Sequence, residues 1–239
     1  MLKQRLDQAL VERGLVITRS QAESWVRLGK VHVNGHMATK SGQMVQPTDE
    51  LELKATEQYV SRAGLKLASV AQVLHLDFTD SIVLDVGSST GGFTDYALQH
   101  GARKVVAVDV GTNQLHPSLH GNPKIELHEQ TDIRDMVLHE TPTIVVIDVS
   151  FISLREILPT VAKFSGPNTK IAAMVKPQFE AITANLKHKG VIKNDRMRRD
   201  ILKDFETWAR QHFVIVDKAD SDVAGSKGNL ERFYLLRNR

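Results

Sequence analysis

One stretch constrains the chain more than any other, Ser81 to Asp95, which reads S-I-V-L-D-V-G-S-S-T-G-G-F-T-D. The apolar run Ile82-Val83-Leu84 has the length and branching of a buried strand. Asp85 ends it, and Gly87 and the pair Gly91-Gly92 lead into a helical pattern from Phe93 to His100. Strand, glycine-rich turn and helix is the layout in which backbone approaches a nucleotide-like ligand and helix N–H groups face its polar end. A dinucleotide fingerprint needs G-x-G-x-x-G, whereas this loop is D-x-G-x-x-x-G-G. An acid ahead of the first glycine suits a ligand carrying positive charge there, such as S-adenosylmethionine with its ammonium and sulfonium, and would repel a pyrophosphate. The competing reading is a turn whose glycines serve only close strand–helix packing. Asp85, Gly87, Ser88, Ser89, Thr90, Gly91, Gly92 and Phe93 are the candidate cofactor contacts of this loop.

The rest of the chain repeats the theme of apolar runs that end in charge. Lys104 to Asp109 is a second buried strand, and Asp109 stands 18 positions after Gly91, a spacing that fits a carboxylate holding a ribose diol. Ile125 to Gln130 is a weaker strand followed by Thr131-Asp132, where Asp132 is a candidate contact for an adenine amine or an ordinary turn cap. Thr143 to Asp148 is the fourth strand, with Val149-Ser150-Phe151 as its exit loop and Ser153 capping a helix from Leu154 to Phe164. Lys170 to Val175 delivers Lys176-Pro177-Gln178-Phe179-Glu180. A loop is expected from Ala181 to Lys193, a basic helix from Asp195 to His212, and a strand from Phe213 to Asp217. A further loop, Ala224 to Asn229, precedes a last strand from Glu231 to Leu236. Alternating strands and helices predict a doubly wound α/β sheet whose ligands bind beyond the carboxyl ends of the strands. Asp85 and Asp109 are then accounted for by the cofactor. Asp148 and Lys176 remain, either as a plain ion pair or as groups that orient a methyl acceptor and take its proton. A lysine crowded by another cation can lose its proton near neutral pH.

The N-terminal fifth reads differently. Leu2, Leu6, Ala9 and Leu10 recur at helical spacing up to Arg13, Gly14 stops the pattern, and Thr18 or Ser20 can cap a second helix from Gln21 to Leu28. Val31-His32-Val33, the tight-turn signal Asn34-Gly35, a second short strand and Leu51-Glu52-Leu53 close a compact unit near residue 54. Residues 1–40 carry seven basic side chains against three acidic ones, although the whole chain of 239 residues has a formal charge of only +3. That local excess suggests a polyanionic partner, with a solvated face as the alternative. Residues 55–60 read as a linker, and Ser61 can cap a helix running to about His75. Lys66 lies early in that largely apolar helix, where a lysine ordinarily faces water.

Composition excludes some classes. The absence of cysteine leaves neither a disulfide framework nor a thiolate metal site, and a cytosolic compartment is the default. The charged, amphipathic start has no apolar core of a signal peptide, and no run of about 18 apolar residues would span a membrane. The ten histidines form no ligand-like cluster, so no metal is expected.

Two resemblances are specific. R-L-D-Q-A-L-V-E-R-G-L, T-R-S-Q-A and G-K-V-H-V-N-G resemble the S4 domain, a small α+β RNA-binding fold. By position this implies Arg5, Arg19, Arg27 and Lys30 as RNA-phosphate contacts. S-R-A-G-L-K-L, D-V-G-S-S-T-G-G-F-T-D, V-I-D-V-S-F-I-S-L, V-K-P-Q-F-E and G-N-L-E-R-F are similar to the TlyA (hemolysin A) family, in which an S4 domain precedes an FtsJ-like methyltransferase domain. Five motifs agree in order and spacing. The one departure is Ser88, where alanine is usual.

The resemblance implies a division into 1–54 (S4-like), 55–60 (linker) and 61–239 (methyltransferase). It implies a Rossmann-like, mostly parallel seven-stranded sheet with helices on both faces. It further implies S-adenosylmethionine as cofactor, ribosomal RNA or ribosomal subunits as partner, and methyl transfer to the ribose 2′-hydroxyl of cytidine. Its catalytic tetrad maps onto Lys66, Asp148, Lys176 and Glu231, with Lys176 as the base, Asp148 orienting it, Lys66 as the neighbouring cation and Glu231 fixing Lys66. Phe179 is a candidate for stacking on a flipped base. Amino methylation of a base fits less well, because Lys176 stands before Pro177 where such sites place an Asn or Asp. A cytolysin, as the older family name suggests, would lack a membrane-seeking segment. A binding or ribosome-assembly factor without catalysis would need none of the four charged residues.

Overall fold

The computed structural model describes residues 3–27, 29–54, 59–183, 190–192, 194–225 and 228–239. Most of the expected 55–60 linker, the middle of the expected 181–193 loop, Leu2, Leu28, Ser226 and Lys227 lie outside them. The N-terminal unit contains β1 (Gln4–Arg5), α1 (Leu6–Glu12), α2 (Arg19–Arg27), β2 (Val31–Val33), β3 (His36–Met37), β4 (Met44–Val45) and β5 (Leu51–Leu53). The first helix begins later than its apolar spacing suggests, because Gln4 and Arg5 pair antiparallel with Val45 and Met44. Thr18 caps α2, its Oγ1 accepting from the Gln21 backbone N–H at 3.1 Å. Asn34 and Gly35, with φ of 51° and 77°, make the tight turn between β2 and β3. This is the left-handed pair that an Asn-Gly dipeptide accommodates at least cost.

The larger unit runs α3 (Arg62–Ala71), β6 (Ile82–Val86), α4 (Gly92–Gln99), β7 (Lys104–Val108), β8 (Ile125–His128), β9 (Ile144–Ile147), α5 (Leu154–Phe164), β10 (Lys170–Val175), α6 (Pro177–Thr183), α7 (Asp195–His212), β11 (Phe213–Asp220) and β12 (Arg232–Asn238). Seven strands form one sheet in the order β11-β12-β10-β9-β6-β7-β8. It is parallel except for β12, which runs antiparallel to both β10 and β11. The chain moves outward from β6 through β7 to β8, then returns to lay β9 on the other side of β6. That reversal is the switch point at which ligands bind in open α/β sheets.

Alternate residues of the central strands feed two cores. Leu84, Val106, Val145, Ile171 and Tyr234 pack with Leu158 of α5 and Phe205 of α7. Val83, Val105, Val146 and Ala172 pack with Leu67 of α3 and Phe93 of α4, in a core that continues without a break to Leu6, Leu10 and Trp25 of the N-terminal unit. Burying each such side chain contributes about 1.5–3 kcal/mol. The two units thus share one core, and Gln21 Nε2 also donates to the Tyr59 carbonyl at 2.5 Å.

Three expectations need correction. Ser61 makes no capping hydrogen bond to α3. A Cβ on Gly92 would fall 2.3 Å from the Ser61 hydroxyl and 2.7 Å from Ala63 Cβ, so α3 and α4 meet at backbone contact and Ser61 is part of that contact. Glu231 stands immediately before β12 rather than inside it. Residues 177–183 form α6 where a loop was expected from Ala181, with Pro177 at the first helical position, where its missing N–H costs nothing.

Candidate active site

The carboxyl ends of β6 and β9 touch. A Cβ on Gly87 would lie 2.8 Å from the Asp148 carbonyl oxygen, so only glycine lets the two strand exits approach this closely. Gly87 adopts φ 82°, and Gly91, at φ 85°, turns the chain into α4. Above these exits lies a cavity of about 550 Å³, whose walls include Gly87, Ser89, Asp109, Asp132, Asp148 and Phe151. A second, of about 140 Å³, is walled by Asp85, Ser88, Thr90, Phe93 and Lys176 among others, and Gly87, Ser89, Asp148 and Ser150 line both. Gly91 and Gly92 line neither. Their missing side chains leave room for Leu115 and Leu119 in one case and for Ser61 and Ala63 in the other. The packing reading of the glycine pair therefore accounts for them.

The chemistry of the walls fits a cationic nucleoside. Asp85 is fully buried, with Oδ2 accepting from Thr94 Oγ1 at 2.7 Å and Oδ1 lacking any partner. Burial, reinforced by the Asp148 and Asp109 carboxylates, pushes its pKa up to about 7. The buried Ser88 hydroxyl is likewise unpartnered. An unsatisfied buried polar group costs about 1–3 kcal/mol, which a ligand supplying donors would recover. Asp109, at the exit of β7, accepts from the backbone N–H groups of Ser89 (2.8 Å) and Gly111 (2.7 Å), so its carboxylate is held in place at the cavity wall with lone pairs to spare. Asp132 is differently placed. Both of its oxygens are engaged by Arg134, at 2.9 Å and 2.6 Å, and it also caps the turn that begins at Ile133, so it serves the cap its sequence context allowed.

Two buried ion pairs stand at the same end of the sheet. Lys176 Nζ lies 2.5 Å from Asp148 Oδ1 and donates to Ser150 Oγ at 2.7 Å. Lys66 Nζ lies 2.6 Å from Glu231 Oε2. Lys66 is 7% exposed, not solvated as a helical lysine ordinarily is, because the close contact of α3 on α4 turns this face of α3 inward. Burial raises the pKa of Glu231, while Lys66 lowers it; the Asp148 and Lys176 charges also act on it, so the pairs sense one another. At the mouth, Phe151 is 90% exposed with φ 68°, and its ring lies 5.4 Å from that of Phe179. A non-glycine residue held in that region stores about 1–3 kcal/mol of strain.

Comparison with known proteins agrees with this geometry. Residues 59–239 match the family model of FtsJ-like methyltransferases, and residues 4–51 match the S4 domain. The 16S/23S rRNA (cytidine-2′-O)-methyltransferase TlyA of Mycobacterium tuberculosis is 34% identical over 98% of this chain and 90% of its own length. The 23S rRNA (cytidine-2′-O)-methyltransferase TlyA of Campylobacter jejuni is 40% identical over 78% of this chain and 74% of its own. A solved structure of a hemolysin-named protein from Streptococcus thermophilus covers all of this chain and 89% of its own, at 37% identity and a TM-score of 0.72. The chain belongs to the TlyA family of FtsJ-like methyltransferases.

The S4 domain of this TlyA family member presents its candidate cations in two ways. Arg5 and Arg19 both bind Asp7, at 2.8 Å and 3.0 Å, and Arg5 is the main reason the Asp7 pKa falls to about 2. Arg27 pairs loosely with Glu23 at 3.7 Å, and Lys30 is exposed. Arg13, one of the basic excess, instead ties down the loop before β5 through the carbonyls of Gln46, Pro47 and Asp49. Residues the sequence did not single out include Phe151, whose exposure and backbone leave no local signature, and Glu129. The Glu129 carboxylate gathers the backbone N–H groups of Asn113, Gln114 and Leu115 and fixes the loop beside Asp109. Among the described residues no group of acids and histidines could hold a metal, and no helix is long and apolar enough to cross a membrane.

Proposed function

We propose that this protein transfers a methyl group from S-adenosylmethionine to the ribose 2′-hydroxyl of cytidine in ribosomal RNA, on the large subunit and with the small subunit as a further candidate. The observation that carries the reading is the juxtaposition of the Asp148–Lys176 and Lys66–Glu231 pairs beside a groove whose open carboxylates suit a cationic nucleoside. Membership of the TlyA family, with relatives named for this reaction, supports the choice of atom and base. Asp85, Gly87, Ser88 and Ser89 would hold the methionine end of the cofactor and Asp109 its ribose. When bound, the cofactor supplies a methyl carbon made electrophilic by its sulfonium.

The chain's own work is then to align a hydroxyl and remove its proton. Lys176 is the group for the proton, its Nζ directed by Asp148 and Ser150. Lys66, held by Glu231, places a second cation near that centre. Phe151, with Phe179 beneath it, offers an aromatic face to a base turned out of its stack. The S4 domain would hold the RNA by its phosphates, which positions without reading sequence.

The test is methyl transfer from labelled S-adenosylmethionine to ribosomal subunits purified from a strain lacking this gene, with the modified nucleotide mapped. The expected label is at a cytidine ribose. Label on a base nitrogen would contradict the atom assignment. No label on either subunit or on free ribosomal RNA, with cofactor still bound, would favour a binding factor.

A further inference from the structure

Lys176 and Glu180 stand one helical turn apart at the start of α6, and both reach the loop that leaves β9. Lys176 Nζ donates to Ser150 Oγ at 2.7 Å. Glu180 Oε2 accepts from Ser153 Oγ at 2.7 Å, and its Oε1 accepts from the Leu154 backbone N–H at 2.8 Å. The two contacts are rungs of one ladder, joining α6 to the same short loop at Ser150 and again at Ser153–Leu154. Between the rungs lies Phe151, with its left-handed backbone and exposed ring.

We propose that Glu180 is a positioning residue, which clasps the start of α5 so that the Ser150-Phe151 turn is held against Lys176 and the direction of the Lys176 amine is set. The proposal rests on the reading of Lys176 as the base. Glu180 lines neither cavity, so it acts through the loop and not on substrate. It is 1% exposed, and a buried carboxylate persists only when donors surround it. Ser153 and the Leu154 N–H are those donors, and the Arg155 guanidinium adds its charge at ion-pair distance, Nε lying 3.5 Å from Oε2.

Capping alone does not explain the carboxylate. Ser153 already caps α5 by accepting from the Arg155 N–H at 3.2 Å, so what Glu180 adds is a link from α5 to α6. Arg155 extends the link to α7, donating to Asp204 at 2.6 Å with its guanidinium over the Trp208 ring. The strained turn at Phe151 is thereby pinned on both sides. Before it, the Asp148 N–H bonds the Val86 carbonyl at 3.0 Å; after it comes the Glu180 clasp.

The test uses Glu180→Gln, which keeps the shape but removes the charge and brings an amide among two donors and the Arg155 cation. The expected result is a fall in kcat of about tenfold, with the Kd for S-adenosylmethionine, measured by calorimetry, unchanged within about twofold. Ser150→Ala combined with Glu180→Gln should be little slower than the slower single variant, because both act on one amine. Should Glu180→Gln fail to fold, Ser153→Ala removes one rung and should lower kcat about threefold with the same unchanged Kd. Wild-type kcat in the variant that folds, or effects that multiply in the double variant, would overturn the clasp. Lys176→Ala assayed alongside separates the two claims. Loss of transfer there, with wild-type turnover in Glu180→Gln, refutes the clasp alone. Retained transfer in Lys176→Ala refutes the assignment of the base and the clasp with it.

Discussion

The S4 domain and the ends of the central strands both rely on lysine and arginine, yet they hold them differently. At the strand ends the cations are buried and each is matched by a carboxylate, Lys66 by Glu231 and Lys176 by Asp148. In the S4 domain Arg5, Arg19 and Arg27 are each about half exposed, two of them sharing a single acid. A charge removed from water must be paired or it destabilises the fold, which fixes its geometry as a side effect. A charge left in water is free to follow a flexible polyanion. The first arrangement suits chemistry at one atom and the second suits a backbone bound without regard to sequence.

The sharpest way to break this contrast is to remove one member of a buried pair. Lys66→Met strands the Glu231 carboxylate and should cost about 3–5 kcal/mol in urea unfolding, together with most of the methyl transfer. The double variant Lys66→Met, Glu231→Leu should regain most of the stability and none of the activity. A single variant as stable as the parent would mean that the pair is not buried as described.

A middle-sized effect concerns Asp85, whose pKa burial raises to about 7. Part of it is protonated at neutral pH, and a bound cation favours the ionised form. Binding of S-adenosylmethionine should therefore release a proton, visible as a buffer-dependent heat in calorimetry. Affinity should weaken by up to about tenfold per pH unit below about 7. In the free protein the folded state keeps a proton that the unfolded chain loses near pH 4. The contribution of Asp85 to stability should consequently fall as pH rises from about 4 to about 7 and level off above, so Asp85→Asn should make the measured slope shallower. A flat binding profile in the parent would remove Asp85 from the cofactor site.

The smallest effects belong to the S4 domain. Arg27→Ala and Lys30→Ala should each weaken RNA binding by less than about tenfold and lower the salt-dependence slope by about 1, with stability changed by no more than about 0.5 kcal/mol. Arg5→Ala should cost more stability than Arg27→Ala, since it removes the chief partner of Asp7. Losses that do not depend on salt would point to a structural role.

What was legible in the sequence follows the same division between local and distant physics. The apolar runs ending in Asp85, Asp109, Asp148 and Lys176 report burial along consecutive residues, and the four central strands with their ligand-facing ends could be read from them. The Lys66–Glu231 pair spans 165 positions, and only family resemblance pointed to it. Glu180, reaching Ser153 across 27 positions, had no such pointer. The two-residue strands β1 and β4 are too short to show a period. Asp132 was legible as an acid at a strand exit, but its engagement by Arg134 depends on a tight turn whose geometry no spacing encodes. Likewise the left-handed backbone of Phe151 has no signature in its own residue type.

The most direct measurement of the central claim is single-turnover methyl transfer to unmethylated ribosomal subunits by Lys176→Ala, with cofactor binding measured on the same preparation. The account predicts transfer lost by at least about a thousandfold with S-adenosylmethionine bound as in the parent. Transfer at the parent rate would contradict it, and the Asp148–Lys176 pair would then be a structural ion pair beside a methyl-transfer site whose base lies elsewhere.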